Sequence, residues 1–127
     1  MAQRPNTRVR RIYDPPLSDD GTRILVDRLW ARGMSKARAH LDEWCKNVAP
    51  SHELRTWYGH DPALFEEFAS RYREELTEPS RAATLLHLGE LARERMLTLL
   101  TATRDVNISA AAVLAALVAR GSDPGQT

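Results

Sequence analysis

The sequence predicts an α/β fold, a small and mostly parallel sheet of three or more strands covered by about five helices. Short apolar runs alternate with longer segments in which apolar residues recur every three or four positions, as in strands alternating with amphipathic helices. The 127 residues suffice for one domain with one core. We therefore assign residues 1–127 to a single domain and expect the polar ends, 1–7 and 121–127, to be disordered.

Three segments have the composition of strands. The first, 9–13, ends at 14–16, where two prolines lack the N–H that a ladder needs. A turn at 18–21 leads to 23–27, the clearest buried strand, and 96–102 is the third. The link between the first two strands is short for a parallel crossover, so the first strand is either antiparallel or joined by an abbreviated crossover.

Five segments have helical periodicity: 35–47, 51–57, 62–76, 80–95 and 109–120. Ser35 is an N-cap residue, and the helix after it would bury Leu41, Trp44 and Val48. The pair 61–62, Asp-Pro, combines a cap with a proline at the first helical position. The apolar helix 109–120 is expected to be buried, although an exposed strip there would favour a homodimer.

Charge and cysteine content exclude several classes of protein. A net charge of +1, from 18 basic and 17 acidic residues, argues against a general nucleic-acid binder. Cys45 is alone, so no intrachain disulfide forms, which fits a cytoplasmic protein. The N-terminus lacks a secretory signal, and the longest apolar run, 110–119, is about half of a membrane span.

The segment 27–36, Asp-Arg-Leu-Trp-Ala-Arg-Gly-Met-Ser-Lys, has an unusual composition. It resembles the signature of the YeaO-like branch of the domain-of-unknown-function family 488. Further matching stretches extend the resemblance, in order, over residues 8–118: 12–16, 49–57, 59–62 and 99–105. The resemblance implies an α/β fold but no function, because the family is named for having none assigned.

Two departures from the family pattern bear on chemistry. Ala31 stands where the family usually has proline, which changes only loop stiffness. Family members typically carry a histidine cluster at the start of the last helix, where this chain has Ile108, Ser109 and Ala110. If that cluster serves relatives as a base or a metal ligand, this chain has lost it.

The carboxyl ends of the predicted strands mark the candidate binding site, since ligands of α/β sheets bind there. Arg28 and Arg32 precede a helix start, where free N–H groups favour anions, and Trp30 offers a flat stacking face. The alternative is that four charged residues pair with one another to hold the loops: Asp27, Arg28, Arg104 and Asp105. The candidate ligand-binding residues are Tyr13, Asp14, Arg28, Trp30, Arg32, Gly33, Lys36 and Arg104.

His60 is the best candidate for acid–base chemistry, because Asp61 could orient its imidazole. The alternative is that Asp61 caps its helix and His60 packs in the turn. Asp27 and Asp105 complete the candidate catalytic set. No metal or cofactor motif is present. Cys45, placed mid-helix, is interpreted as a packing residue, and three further histidines lie on predicted helices without convincing partners: His40, His52 and His87.

These features leave three hypotheses. The first is a small cytoplasmic enzyme, a hydrolase or transferase, that binds an anionic small molecule bearing phosphate or carboxylate. The second is a non-catalytic module that binds a ligand or a protein partner, which the missing histidine cluster favours. The third, ranked last, is a nucleic-acid role through an N-terminal group of arginines: Arg4, Arg8, Arg10 and Arg11.

Overall fold

The computed structural model describes residues 6–121, and it contains four parallel strands and five α-helices. The strands are β1 Thr7–Arg11, β2 Thr22–Leu25, β3 Glu43–Trp44 and β4 Leu97–Thr101. The helices are α1 Lys36–Ala39, α2 His52–Tyr58, α3 Phe65–Glu75, α4 Pro79–Glu94 and α5 Ala110–Gly121. The predicted α/β fold is confirmed. Of the predicted disordered ends, residues 1–5 and 122–127 lie outside the described residues. The others are ordered: the Asn6 carbonyl accepts from the Leu97 N–H at 2.7 Å, Thr7 belongs to β1, and Gly121 belongs to α5.

The strand order β1-β4-β2-β3 explains the short link between the first two strands. Strand β4 lies between β1 and β2 and pairs with both in parallel. The antiparallel alternative for the first strand is therefore wrong, and the crossover is an abbreviated one. Residues 12–21 return along the sheet without a helix, which is feasible because an extended chain spans about 3.3 Å per residue.

The predicted helix 35–47 is wrong beyond Ala39. Ser35 does cap α1, but His40 follows in the left-handed region, with φ of 49°. The guanidinium of Arg23 donates to the carbonyls of Ala39 and His40, at 2.8 and 3.1 Å, and so binds the end of this short helix. The chain then forms β3 beside β2, so Cys45 follows a strand and is not mid-helix.

Alternate residues of the central strands face the two sides of the sheet. Ile24 and Leu99 belong to the larger core cluster, which includes buried residues of α2, α3, α4 and α5. Leu25 and Leu100 belong to a smaller cluster with residues of the 27–41 segment. Four helices thus cover one side of the sheet, whereas the 27–41 segment covers the other. As a result, an irregular loop and not a long helix follows the carboxyl end of β2.

The last helix is buried, as expected, through Ala111, Leu114 and Val118. Its composition therefore reflects the core and does not by itself indicate a dimer. Within residues 6–121, no helix is both long and apolar enough to cross a membrane.

Candidate functional site

A cleft of about 390 Å³ lies at the carboxyl edge of the sheet. Its volume is within the range of cavities that hold small molecules. The cleft has an apolar surface and a set of polar residues that come from the strand ends, the 27–34 loop and α2. The polar and charged members are Tyr13, Asp27, Arg28, Arg32, Arg55, Tyr58, His60 and Thr103.

Asp27 follows β2, and two hydrogen bonds fix its carboxylate. Oδ1 accepts from the Thr101 hydroxyl at 2.8 Å, and Oδ2 accepts from the Ala102 backbone N–H at 2.8 Å. Burial raises the pKa of Asp27, and the two hydrogen bonds oppose this shift only in part. No cation of the described chain lies within ion-pair distance of it.

The three cleft arginines keep guanidinium nitrogens available. Arg28 and Arg32 are exposed, and their guanidinium groups make no hydrogen bond or ion pair within residues 6–121. Arg55, on α2, is half-buried, and its Nε donates to the Pro50 carbonyl at 3.2 Å. That bond orients the guanidinium while the terminal nitrogens stay unpaired. The predicted alternative, in which charged residues pair with one another to hold the loops, does not occur, because no ion pair forms among Asp27, Arg28, Arg104 and Asp105.

Several predicted ligand-binding residues lie outside the cleft lining. The Asp14 carboxylate accepts from the Arg11 backbone N–H at 3.3 Å and closes a turn. Lys36 borders a separate hollow beside the two tryptophans Trp30 and Trp44. Gly33 and Arg104 are exposed and do not line the cleft either. The helix start expected to favour anions belongs to an α-helix of four residues, so it adds little.

Trp30 does line the cleft, and its indole is held firmly. Its Nε1 donates to the Met34 carbonyl at 2.7 Å, and its ring meets Trp44 edge-on, with centroids 5.4 Å apart. Tyr13 also lines the cleft, and its hydroxyl donates to the Arg32 carbonyl at 2.7 Å. These bonds order the loop that carries the exposed arginines.

The candidate catalytic residues are not assembled as a catalytic pair. His60 is exposed at the cleft, with φ of 59°, and makes no hydrogen bond to Asp61. Asp61 instead accepts from the Ala63 N–H at 3.0 Å and caps a 3₁₀ turn, Pro62–Leu64, which confirms the predicted cap. Asp105 caps another 3₁₀ turn, accepting from the Asn107 N–H at 3.0 Å, and does not line the cleft.

Sequence reasoning missed Arg55 and Tyr58, which lie three residues apart and so share a face of α2. Tyr58 stacks on Phe68, with centroids 4.1 Å apart, and its hydroxyl donates to the Ile108 carbonyl at 2.7 Å. Burial is the main reason that the pKa of Tyr58 is raised. The three-residue spacing was the available signal, but nothing in the sequence placed α2 beside β2.

The positions that depart from the family pattern adjoin the cleft. Ser109 caps α5, because its Oγ accepts from the Ala112 N–H at 3.1 Å. Ala110 lines the cleft, and the Ile108 carbonyl holds Tyr58. None of the three residues offers a base or a metal ligand to the cleft. In the described part of the chain, no three His, Cys, Asp or Glu side chains form a group that could hold a metal ion.

A second polar cluster lies away from the cleft, beside β3. His87 does have a partner, contrary to expectation, because its Nε2 lies 3.0 Å from the Glu43 carboxylate. The Cys45 thiol lies 3.6 Å from the same carboxylate, and burial followed by this negative charge raises its pKa to about 12. The thiolate is therefore scarce at neutral pH, which supports the interpretation of Cys45 as a packing residue.

An open parallel sheet with a cleft at its carboxyl edge defines a small α/β protein with a ligand-sized cavity. The chain belongs to the DUF488-N3i family, described as the inactive DUF488-N3 subclade, which matches residues 6–124. The predicted resemblance is thereby confirmed. The match carries no specific ligand or activity.

Relatives cover nearly the same length as this chain. The uncharacterised protein Rv3073c of Mycobacterium tuberculosis is 48% identical over 118 residues, covering 93% of this chain and 98% of the relative. The uncharacterised protein YeaO of Escherichia coli is 38% identical over 110 residues, covering 87% and 94%. No solved structure matches the chain.

Proposed function

We propose that this protein binds a small molecule bearing phosphate or carboxylate in the cleft and does not transform it. The observation that carries the proposal is the set of three arginines, Arg28, Arg32 and Arg55, whose terminal nitrogens face no protein acceptor within residues 6–121. Guanidinium groups bind planar oxyanions through paired hydrogen bonds. The cleft supplies three such cations against one carboxylate, Asp27.

The opposite edge of the sheet shows how this chain pairs arginines that serve stability. There Arg8, Arg10 and Arg23 all bind the single buried carboxylate of Asp20. Two of the cleft arginines have no such acceptor, and Arg55 uses only its Nε, on a carbonyl. The contrast supports a binding role for the cleft arginines, because a half-buried guanidinium gains from an anionic partner.

The non-catalytic form of the proposal rests on the lack of an assembled acid–base pair. The His60 imidazole makes no hydrogen bond to a carboxylate within residues 6–121, and the residues at 108–110 provide structural contacts only. The family description as an inactive subclade agrees with this. A hydrolase or transferase would need His60 or Asp27 to move a proton, so turnover of a phosphate ester that His60→Ala abolishes would overturn the non-catalytic form.

Arg55→Gln is expected to weaken binding of inorganic phosphate and of ribose 5-phosphate by about tenfold to a hundredfold, as hydrogen bonds between charged groups contribute roughly 1.5–3 kcal/mol. Isothermal titration calorimetry on the full chain measures the change. Arg73→Gln, on an exposed part of α3 away from the cleft, is the matched control. Equal affinity in both variants, or no binding by the parent, would contradict the proposed function.

A further inference from the structure

We propose that the ligand is a guanine nucleotide, with its base on Asp27 and its phosphate on the cleft arginines. This inference rests on the proposed function and specifies the part of the ligand that is not the anion. It starts from Asp27, which lines the cleft although it carries a charge opposite to that of the arginines.

The bonding of Asp27 leaves one acceptor position on each oxygen. A carboxylate has about four lone-pair positions, and here Thr101 and Ala102 each occupy one, on different oxygens. The same two bonds fix the orientation of the carboxylate. A ligand that satisfies both remaining positions must present two hydrogen-bond donors side by side, spaced like the two oxygens.

The charge of the cleft decides between a cationic and a neutral donor group. Three arginines and one aspartate give the lining an excess of positive charge, so an ammonium or amidinium group would be repelled overall. A neutral pair of N–H donors on a molecule that also carries an anion avoids this repulsion. The ligand therefore has a neutral donor edge for Asp27 and an anionic group for the guanidinium groups.

Guanine has the required donor edge. Its ring N1–H and exocyclic N2–H₂ are adjacent and neutral at physiological pH, and proteins read flipped or free bases through this edge. Adenine and cytosine each present one amino donor next to a ring nitrogen whose lone pair would face the carboxylate. Asp27 thus favours guanine over the other amino bases.

The remaining cleft lining suits a flat ring with a phosphate. Val26, Ala31 and Ala49 contribute small apolar side chains, and Phe68 lines the same cleft. Trp30, held by its bond to Met34, adds an aromatic surface on which a base can stack. Arg28, Arg32 and Arg55 then supply donors for a 5′-phosphate.

The test compares guanosine, inosine and adenosine 5′-monophosphates by isothermal titration calorimetry on the full chain. Inosine monophosphate keeps the phosphate and N1–H but lacks the 2-amino donor. We expect guanosine monophosphate to bind about tenfold more tightly than inosine monophosphate, because the missing donor leaves one Asp27 acceptor without a ligand partner. Adenosine monophosphate is expected to bind more weakly still.

Two variants separate base recognition from phosphate recognition. Asp27→Asn replaces one acceptor by a donor and should abolish the preference for guanosine over inosine monophosphate. Arg55→Gln should weaken the binding of both nucleotides by the same factor. The ratio of their affinities should therefore stay unchanged. If Asp27 had only a structural role, Asp27→Asn would lower the melting temperature but preserve the ratio of the affinities for guanosine and inosine monophosphates. That result would overturn the inference.

The outcomes for the ligand class and the proposed function are distinguishable. Equal affinity of the parent for guanosine and inosine monophosphates, with sensitivity to Arg55→Gln, would overturn the guanine inference and leave the proposed function intact. Failure of every phosphate-bearing probe to bind the parent would overturn the guanine inference and also the phosphate form of the proposed function. Should Asp27→Asn fail to fold, the comparison of the two nucleotides on the parent still decides.

Discussion

Asp20→Asn is expected to destabilise the protein by about 3–5 kcal/mol, the range for removing one partner of a buried ion pair. Asp20 is only 1% exposed, and its carboxylate lies 2.6 Å from Arg8, 3.1 Å from Arg10 and 2.5 Å from Arg23. Arg23 is itself 5% exposed, so the neutral amide would leave its guanidinium buried without a counter-charge. Urea unfolding of the parent and the variant measures the difference.

The control for this prediction is Asp19→Asn. Asp19 pairs with Arg8 at 2.9 Å, but its side chain is 74% exposed, and solvent screens such a pair. We expect no measurable loss of stability from Asp19→Asn. Equal losses of unfolding free energy from the two substitutions would contradict the prediction. They would show that burial does not increase the contribution of the Asp20 charge to stability.

The same cluster predicts a loss of stability in acid. Burial acts to raise the pKa of Asp20, but hydrogen bonds from the Leu17 N–H, Arg8 and Arg23 outweigh it, so the pKa lies below its ordinary value of 3.8. The folded state therefore binds the proton less readily than the unfolded chain. The stabilisation is complete above pH 3.8 and is lost as the pH falls through the lowered pKa.

Unfolding free energies measured from neutral pH downward test the sign of this effect. The parent should lose more stability in the acid range than Asp20→Asn, because the variant has no carboxylate to protonate at this position. Parallel curves for the parent and the variant would contradict the assignment of the acid effect to Asp20.

The elements that the sequence predicted correctly are those with a strong local pattern. Strand β4 reads Leu-Thr-Leu-Leu-Thr and is buried throughout, and α3 carries regularly spaced apolar residues that include Phe68 and Tyr72. Strand β3 was missed because it has two residues and depends on its pairing with β2. The helical spacing of Leu41 and Trp44 is incidental, because tertiary contacts of Arg23 and β2 determine the local structure.

The candidate site was partly predictable for the same reason. Asp27 and Arg28 follow a clear strand, so their position at the carboxyl edge follows from topology. The contribution of Arg55 was not predictable, because long-range bonds position α2. The Tyr72 hydroxyl donates to the Val48 carbonyl at 2.5 Å, and the Glu75 carboxylate accepts from the Ser51 N–H at 2.8 Å. No local pattern reveals contacts between segments 24 residues apart.

Gly21→Ala is expected to destabilise the protein by about 3 kcal/mol, through backbone strain and overlap together. Gly21 has φ of +66°, and a Cβ there would lie 2.1 Å from the Met96 carbonyl oxygen and 2.8 Å from the carbonyl carbon. These are backbone atoms, so no side-chain rotation relieves the contact. The same carbonyl accepts from the Thr22 N–H at 2.8 Å, where β2 and β4 begin to pair. Urea unfolding of the variant measures the loss.

Gly33→Ala separates the overlap from the strain. Gly33 has φ of +79°, but a Cβ there would meet no atom within 4 Å. Its substitution should therefore reduce the unfolding free energy by only about 1 kcal/mol, the strain of one left-handed residue. If both substitutions cause the same loss, the close approach of Gly21 to Met96 contributes nothing to stability. A larger loss at Gly21 would instead indicate that the backbone where β2 and β4 begin to pair must shift to admit a methyl group.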